Sequence, residues 1–150
     1  SFVTIYELRF ANYIIGKDYT WLLIILIVCV ATDLGGYIFG KIFKGPKLTK
    51  LSPNKTYAGM FGGYILSLIA LFFSFQYFKL ELSIEWLFFT LLVSSVSQLG
   101  DIIISYFKRL SKIKDTGKII PGHGGLLDRV DGMIFAFPFA YIIILSGVFA

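Results

Sequence analysis

Long apolar runs separated by short polar stretches set the pattern of this chain. Runs of about 20 apolar residues, the helix length needed to cross a ~30 Å hydrocarbon core, fall at about 21–39, 57–78, 86–106 and 130–149. They predict an all-α integral membrane protein, a polytopic bundle of about four transmembrane helices in a single domain, 1–150. The polar stretches between them lie at about 40–56 and 107–129. Gly36-Tyr-Ile-Phe-Gly40 and Gly59-Met-Phe-Gly-Gly63 place small residues four apart, which lets helix backbones approach closely. Trp21 and Trp86 open two of the spans, where amphipathic rings favour the membrane interface. Residues 1–18 carry Glu7, Arg9, Lys17 and Asp18 and read as the tail of an earlier element or an interfacial helix. They lack the charged start and cleavage site of a signal peptide. No internal repeat or low-complexity tract interrupts the pattern.

Composition excludes a soluble domain. The chain is 57% hydrophobic and 15% charged, against about 45–50% and 25% in soluble proteins, which leaves too little polar surface to cover it. The single Cys29 offers neither a disulfide nor a thiolate metal site and reads as a small buried hydrophobe. The net charge of +5 lies in the loops, which favours an anionic lipid surface or anionic substrate over nucleic acid. Lys41, Lys44, Lys47, Lys50 and Lys55 occupy one loop, and Lys108, Arg109, Lys112, Lys114, Lys118 and Arg129 the other, so that 11 of 14 cations sit there. Both loops then face the cytoplasm by the positive-inside rule.

Acids inside the spans carry the candidate chemistry. Asp33 sits about two turns before the cytoplasmic end of the first span, Asp101 one to two turns before that of the third, and Asp131 opens the fourth. Each costs roughly 2.5–3.5 kcal/mol to insert, so three at one depth point to a site. In the third span Ser94, Ser97, Asp101, Ser105 and Lys108 share one helical face, a polar stripe that must turn toward protein or water. Asp128 and Asp131, three apart, point the same way if the helix has begun. Grouped carboxylates suit a hard cation such as Mg²⁺. The neighbouring Lys108, Arg109, Lys114 and Arg129 suit phosphate oxygens, and the Pro121–Gly125 turn can offer backbone N–H groups to them. Singly, each group has a plainer reading. Asp128 can cap the fourth helix and Asp131 complement its dipole; Asp33 or Asp101 can be a structural acid paired with a lysine; His123 can be a turn residue. The plain readings leave the convergence unexplained.

One long pattern goes further. Ser105, Lys108, Arg109, Lys114, Asp115, Gly117, Ile120, Pro121, Gly122, His123, Gly124, Gly125, Asp128, Arg129 and Asp131 fill every position of a signature that resembles the phosphatidate cytidylyltransferase (CDP-diacylglycerol synthase) family. Ala31-Thr-Asp33-Leu-Gly-Gly-Tyr37 to Lys41 and Ser52-Pro53-Asn-Lys55-Thr56 with Gly59 resemble it too, so the likeness spans residues 31–131. Ala58 departs from the Glu that many relatives carry there. The chain resembles the C-terminal catalytic part of a longer helical enzyme.

The resemblance implies transfer of CMP from CTP to phosphatidate in membrane phospholipid biosynthesis, giving CDP-diacylglycerol and pyrophosphate. It implies a multi-pass protein of the bacterial inner membrane with its site facing the cytoplasm. Asp101, Asp128 and Asp131 would hold Mg²⁺, alone or with a second metal ion, and with Lys108 would form the catalytic set. Ser52, Lys55, Thr56, Arg109, Lys114, His123, Gly124 and Arg129 would contact substrate. Asp33 and Ser105 would stand behind the metal ligands. CTP, phosphatidate and bilayer lipid are the expected partners, with homo-oligomerisation open and no nucleic acid. A membrane CDP-alcohol phosphotransferase is excluded by the short Asp128–Asp131 spacing. A CTP-dependent enzyme for another lipid phosphate and a cation-coupled transporter remain open alternatives.

Overall fold

The structure, a computed structural model, describes residues 20–48, 55–111 and 127–146, with the side chains of 127–130 and 145 outside the description. Four helices account for most of it: α1, Thr20–Phe43; α2, Tyr57–Phe78; α3, Ile84–Leu110; and α4, Leu127–Leu145. Among the described residues the only β-type pairing is an isolated antiparallel bridge between Lys47 and Thr56. The chain is an all-α bundle, as its apolar runs predict.

By length and hydropathy α1, α2 and α3 can each cross a membrane, whereas the apolar part of α4, Asp131–Ile144, is shorter. The span expected at 130–149 thus begins as helix at Leu127 and stops at Leu145. At its end the Ser146 hydroxyl turns back onto the carbonyl of Ile143 at 2.6 Å. Pro138 lies inside α4 and removes one backbone donor from its ladder. The α2 helix closes differently, with Lys79 in the left-handed region (φ 52°) and Leu80 N–H donating to the Phe75 carbonyl at 2.9 Å.

The helices pack as two intimate pairs, α1 on α2 and α3 on α4, with α3 touching both members of the first pair and α4 touching α1. Apolar lipid tails give no hydrophobic drive for this association, so close backbone contact must supply it. Glycine makes that possible. A Cβ on Gly59 would stand 2.6 Å from the Gly36 carbonyl oxygen, and one on Gly63 would stand 3.0 Å from that of Thr32. Both small-residue pairs read from the sequence therefore meet each other across the α1–α2 seam. Away from the loops the bundle is filled by Ile24, Ile25, Val28, Cys29, Leu71, Phe75, Phe89, Val93, Ala136, Phe137 and Ala140. At that end Trp21 and Trp86 stack face to face, ring centroids 4.3 Å apart, so the two rings expected at the interface also grip one another. Leu23, Ile27, Leu34, Phe61, Phe72, Phe88, Leu92 and Leu99 face outward, where a membrane protein meets lipid.

Gly59→Val should lower stability by about 1–3 kcal/mol, the usual cost of overpacking. Thermal unfolding in detergent micelles reads this as a lower midpoint. Gly45→Ala, whose added Cβ would meet the Ala58 Cβ at an ordinary 3.5 Å, should stay within about 0.5 kcal/mol.

Candidate functional site

The stretch before α2 is held by its own backbone. Leu48 N–H donates to the Lys55 carbonyl at 2.7 Å, and Tyr57 N–H to the Pro46 carbonyl at 3.1 Å. Thr56 then caps α2: its backbone is extended and its hydroxyl oxygen accepts from Gly59 N–H at 3.1 Å. This fixes Lys55 and Thr56 at the mouth of a cavity of about 270 Å³. Asp33 and Tyr37 reach the cavity from α1, Gln98 and Asp101 from α3, and Asp131 from α4. The three acids singled out in the sequence thus come together from three different helices.

Two of them carry lysine partners. Lys55 forms an ion pair with Asp101, joining the loop to α3. Lys108 Nζ lies 2.5 Å from Asp131 Oδ2, joining α3 to α4. The pairs differ in setting: Asp131 and Lys108 are 2% and 13% exposed, whereas Asp101 and Lys55 are 37% and 24% exposed. Water screens the second pair and hardly reaches the first, so the buried pair dominates the local energetics.

Small residues deliver Asp131 to this position. Gly132, beside it, packs on α3 so closely that a Cβ there would stand 2.6 Å from Ser97 Oγ and 2.7 Å from the Ser97 carbonyl oxygen. The serine stripe of α3 accordingly turns inward, with Ser94 and Ser97 fully buried. The Thr32 hydroxyl donates to the Val28 carbonyl at 2.8 Å, and Thr32 Oγ1 and Ser94 Oγ share a hydrogen bond at 3.0 Å. This ties α1 to α3 directly beneath Asp33.

The remaining expected residues fall in three groups. Ser105 is half-buried and Arg109 exposed on α3, and neither lines the cavity. Asp128 and Arg129 lie on the first turn of α4, their side chains outside the description. Ser52, Lys114, His123 and Gly124 lie outside the described residues. Conversely, Thr32, Tyr37, Met60 and Gln98 line the cavity without having been singled out. Gln98 carried a readable signal, a primary amide inside an apolar span and one turn before Asp101. Its Nε2 donates over a long 3.4 Å to the Met60 carbonyl.

Oxygen donors of this kind fit a hard divalent cation. Among the described residues, however, no three Asp, Glu, His or Cys side chains stand close enough together to complete a metal site. A full ligand set would draw on a further donor such as Asp128.

Residues 2–146 match the profile of the cytidylyltransferase family. The chain is 37% identical over 149 residues to the phosphatidate cytidylyltransferase of Staphylococcus epidermidis, covering 97% of this chain and 55% of that protein. It is 38% identical over 150 residues to the protein of that name from Staphylococcus aureus strain COL, covering 98% and 55%. With that of Staphylococcus haemolyticus the identity is 41% over 129 residues, covering 84% and 49%. The chain therefore spans about half the length of the curated relatives it matches.

Lys108→Met should cost about 3–5 kcal/mol, because it removes the ammonium group bonded to a carboxylate in a buried pair. Lys55→Met, at the half-exposed pair, should cost under about 1 kcal/mol. Parallel thermal unfolding of the two variants in micelles checks the order, and equal losses would contradict it.

Proposed function

The chain belongs to the cytidylyltransferase family, and from that premise we propose that it carries the phosphate- and metal-binding site of an enzyme that transfers CMP from CTP to phosphatidate. CDP-diacylglycerol and pyrophosphate are the products. The observation that carries this reading is the meeting of Asp33, Asp101 and Asp131 with Lys55 at one cavity, Lys108 being held on Asp131. The relatives named phosphatidate cytidylyltransferase support the same assignment.

The chemistry joins two polyanions, so the burden on the protein is charge neutralisation and alignment. A phosphate oxygen of phosphatidate attacks the α-phosphorus of CTP, and pyrophosphate leaves. The attacking oxygen is already ionised, so no side chain need remove a proton. Lys55 on the cavity wall, and Lys108 bonded to the lining residue Asp131, would offset phosphate charge, helped by Arg109, Lys114 and Arg129. Ser52, Thr56, His123 and Gly124 complete the substrate contacts. Thr56 can do so with its hydroxyl proton, since in the cap its oxygen only accepts from Gly59 N–H. Asp101, Asp128 and Asp131 would hold Mg²⁺, with Asp33 and Ser105 behind them. The ion, alone or with a second metal, would withdraw charge from the phosphates. Tyr37 and Met60 on the cavity wall suit the glycerol and acyl end of the lipid, which reaches the cavity sideways from the bilayer.

The cation-rich loops support a mouth on the cytoplasmic side of a bacterial inner membrane, where CTP is available. In membranes supplied with labelled CTP and phosphatidate, Asp131→Asn and Asp101→Asn should each reduce CDP-diacylglycerol formation by at least about 100-fold, in the range reported for loss of one electrostatic contributor to a transition state. EDTA should stop the reaction and Mg²⁺ restore it. Full activity in both variants would sink the assignment, and product formed only with another lipid phosphate would redirect it. A cysteine introduced at position 118 should react with an impermeant maleimide only from the cytoplasmic side.

A further inference from the structure

We propose that Lys41 and Tyr37 form the docking point where the phosphate of a phosphomonoester lipid first meets this protein, before it moves into the cavity. The inference rests on the reading of phosphatidate as substrate and deepens it by naming the residues at which that lipid enters.

The cavity opens past α1. Tyr37 lines it and is nevertheless 66% exposed, and Asp33, one turn deeper, lines it and is exposed as well. On the α4 side the lining residues Asp131 and Gly132 are buried. Beside the opening the surface of α1 is apolar, with Leu34, Ile38 and Ile42 exposed. A lipid approaching from that side keeps its acyl chains on this surface and turns only its polar end inward.

Lys41 stands at the opening. Asp33, Tyr37 and Lys41 are spaced four apart and share one face of α1. Lys41 lies in the last turn of the helix and is exposed. A lysine so placed lays its stem on apolar surface and carries its head to the level of the lipid phosphates. Its Nζ donates to the Tyr37 hydroxyl at a long 3.5 Å and lies 5.6 Å from the centre of the Tyr37 ring. Lys55 and Lys108 are each held on a carboxylate, whereas no described carboxylate forms an ion pair with Lys41. Its charge is therefore open to an anion.

The pair matches a phosphate. The Tyr37 oxygen accepts from Lys41, so its own proton is left to donate. An ammonium and a phenol side by side suit two oxygens of one phosphate, and charge-assisted bonds of that kind outweigh the long contact they replace. A phosphomonoester is favoured because it carries close to two negative charges at neutral pH, against one on a phosphodiester. One turn further in, the phosphate comes under Lys55 on the cavity wall, and the glycerol is left beside the Tyr37 ring.

The test uses the whole protein in detergent micelles with spin-labelled phosphatidate and no CTP, and reads the immobilised fraction by electron paramagnetic resonance. Lys41→Met should weaken binding about tenfold, the loss of one charge-assisted hydrogen bond. Tyr37→Phe should weaken it about threefold, the loss of a neutral donor. Lys44→Met removes an exposed lysine just past α1 and should stay within about twofold, since it reports only the general pull of a cationic loop on an anionic lipid. Lys41 and Lys44 are both exposed, so folding is retained in these variants. In turnover, Lys41→Met should raise the KM for phosphatidate about tenfold while kcat and the KM for CTP stay within about twofold. Unchanged lipid binding by Lys41→Met would overturn the proposal, as would an equal loss in Lys44→Met. So would displacement of the label by phosphatidylglycerol, a phosphodiester, as readily as by phosphatidate. A raised KM for CTP in place of the lipid would give Lys41 to the nucleotide and end the proposal too. The expected binding pattern in a protein that makes no CDP-diacylglycerol would retire the activity and keep the docking point. An active enzyme whose lipid binding ignores Lys41→Met would do the reverse.

Discussion

A carboxylate that is 2% exposed inside an apolar helix bundle needs a cation, and Asp131 has one in Lys108. That contact constrains much of the surrounding structure. An isolated charge at this depth would be too costly to retain. Lys108 must therefore sit on the inward face of α3, one helical stripe with Asp101, Ser97 and Ser94. The opposite face, with Leu92, Leu99 and Ile103, is left for lipid. Orienting α3 in this way also turns Asp101 toward the loop, where Lys55 meets it. The two ion pairs thus pin the loop, α3 and α4 around one cavity.

Glycine supplies the space for these charges to meet. Gly36 with Gly59 closes the α1–α2 seam at the cavity wall, and Gly132 against Ser97 closes the α3–α4 seam. Both seams lie in the same half of the bundle as the acids. In the other half, bulky side chains fill the interior, and Phe75 and Phe89 flank the ring of Trp86. The molecule therefore divides along its axis into a half where backbones touch and polar groups gather, and a half packed by side chains.

Much of this was legible beforehand because the signals are local. Apolar run length marks the helices, and the interval from Ser94 to Lys108 marks one face of α3. The glycine spacing marks the α1–α2 contact, and the three intramembrane acids mark the site. What pairing each acid would adopt was not legible, because it depends on helix rotation and on which loop folds over which helix. The sequence reading left open a structural lysine partner for Asp101, and the fold supplies Lys55. It also left Asp131 between a metal ligand and a complement to the helix dipole, and the fold gives it Lys108. Gln98 was passed over because it is uncharged, although it borders the serine stripe, one turn from both Ser94 and Asp101, and its amide is foreign to an apolar span. Thr32 was invisible for another reason: a threonine can satisfy itself on its own helix, and only the fold adds the second partner, Ser94.

The side-chain-packed half has a consequence for the membrane itself. A charged, water-accessible cavity cut into a bilayer protein is a hazard, since any continuous polar file across it would short-circuit the ion gradients on which a cell depends. Below this cavity the path runs into Ile24, Ile25, Val28, Leu71, Phe75 and Val93, all nearly inaccessible, and then into the stacked rings of Trp21 and Trp86. Among the described residues the cavity is therefore a well whose floor is apolar side chains, interrupted only by the buried hydroxyls of Ser67, Ser74 and Thr90.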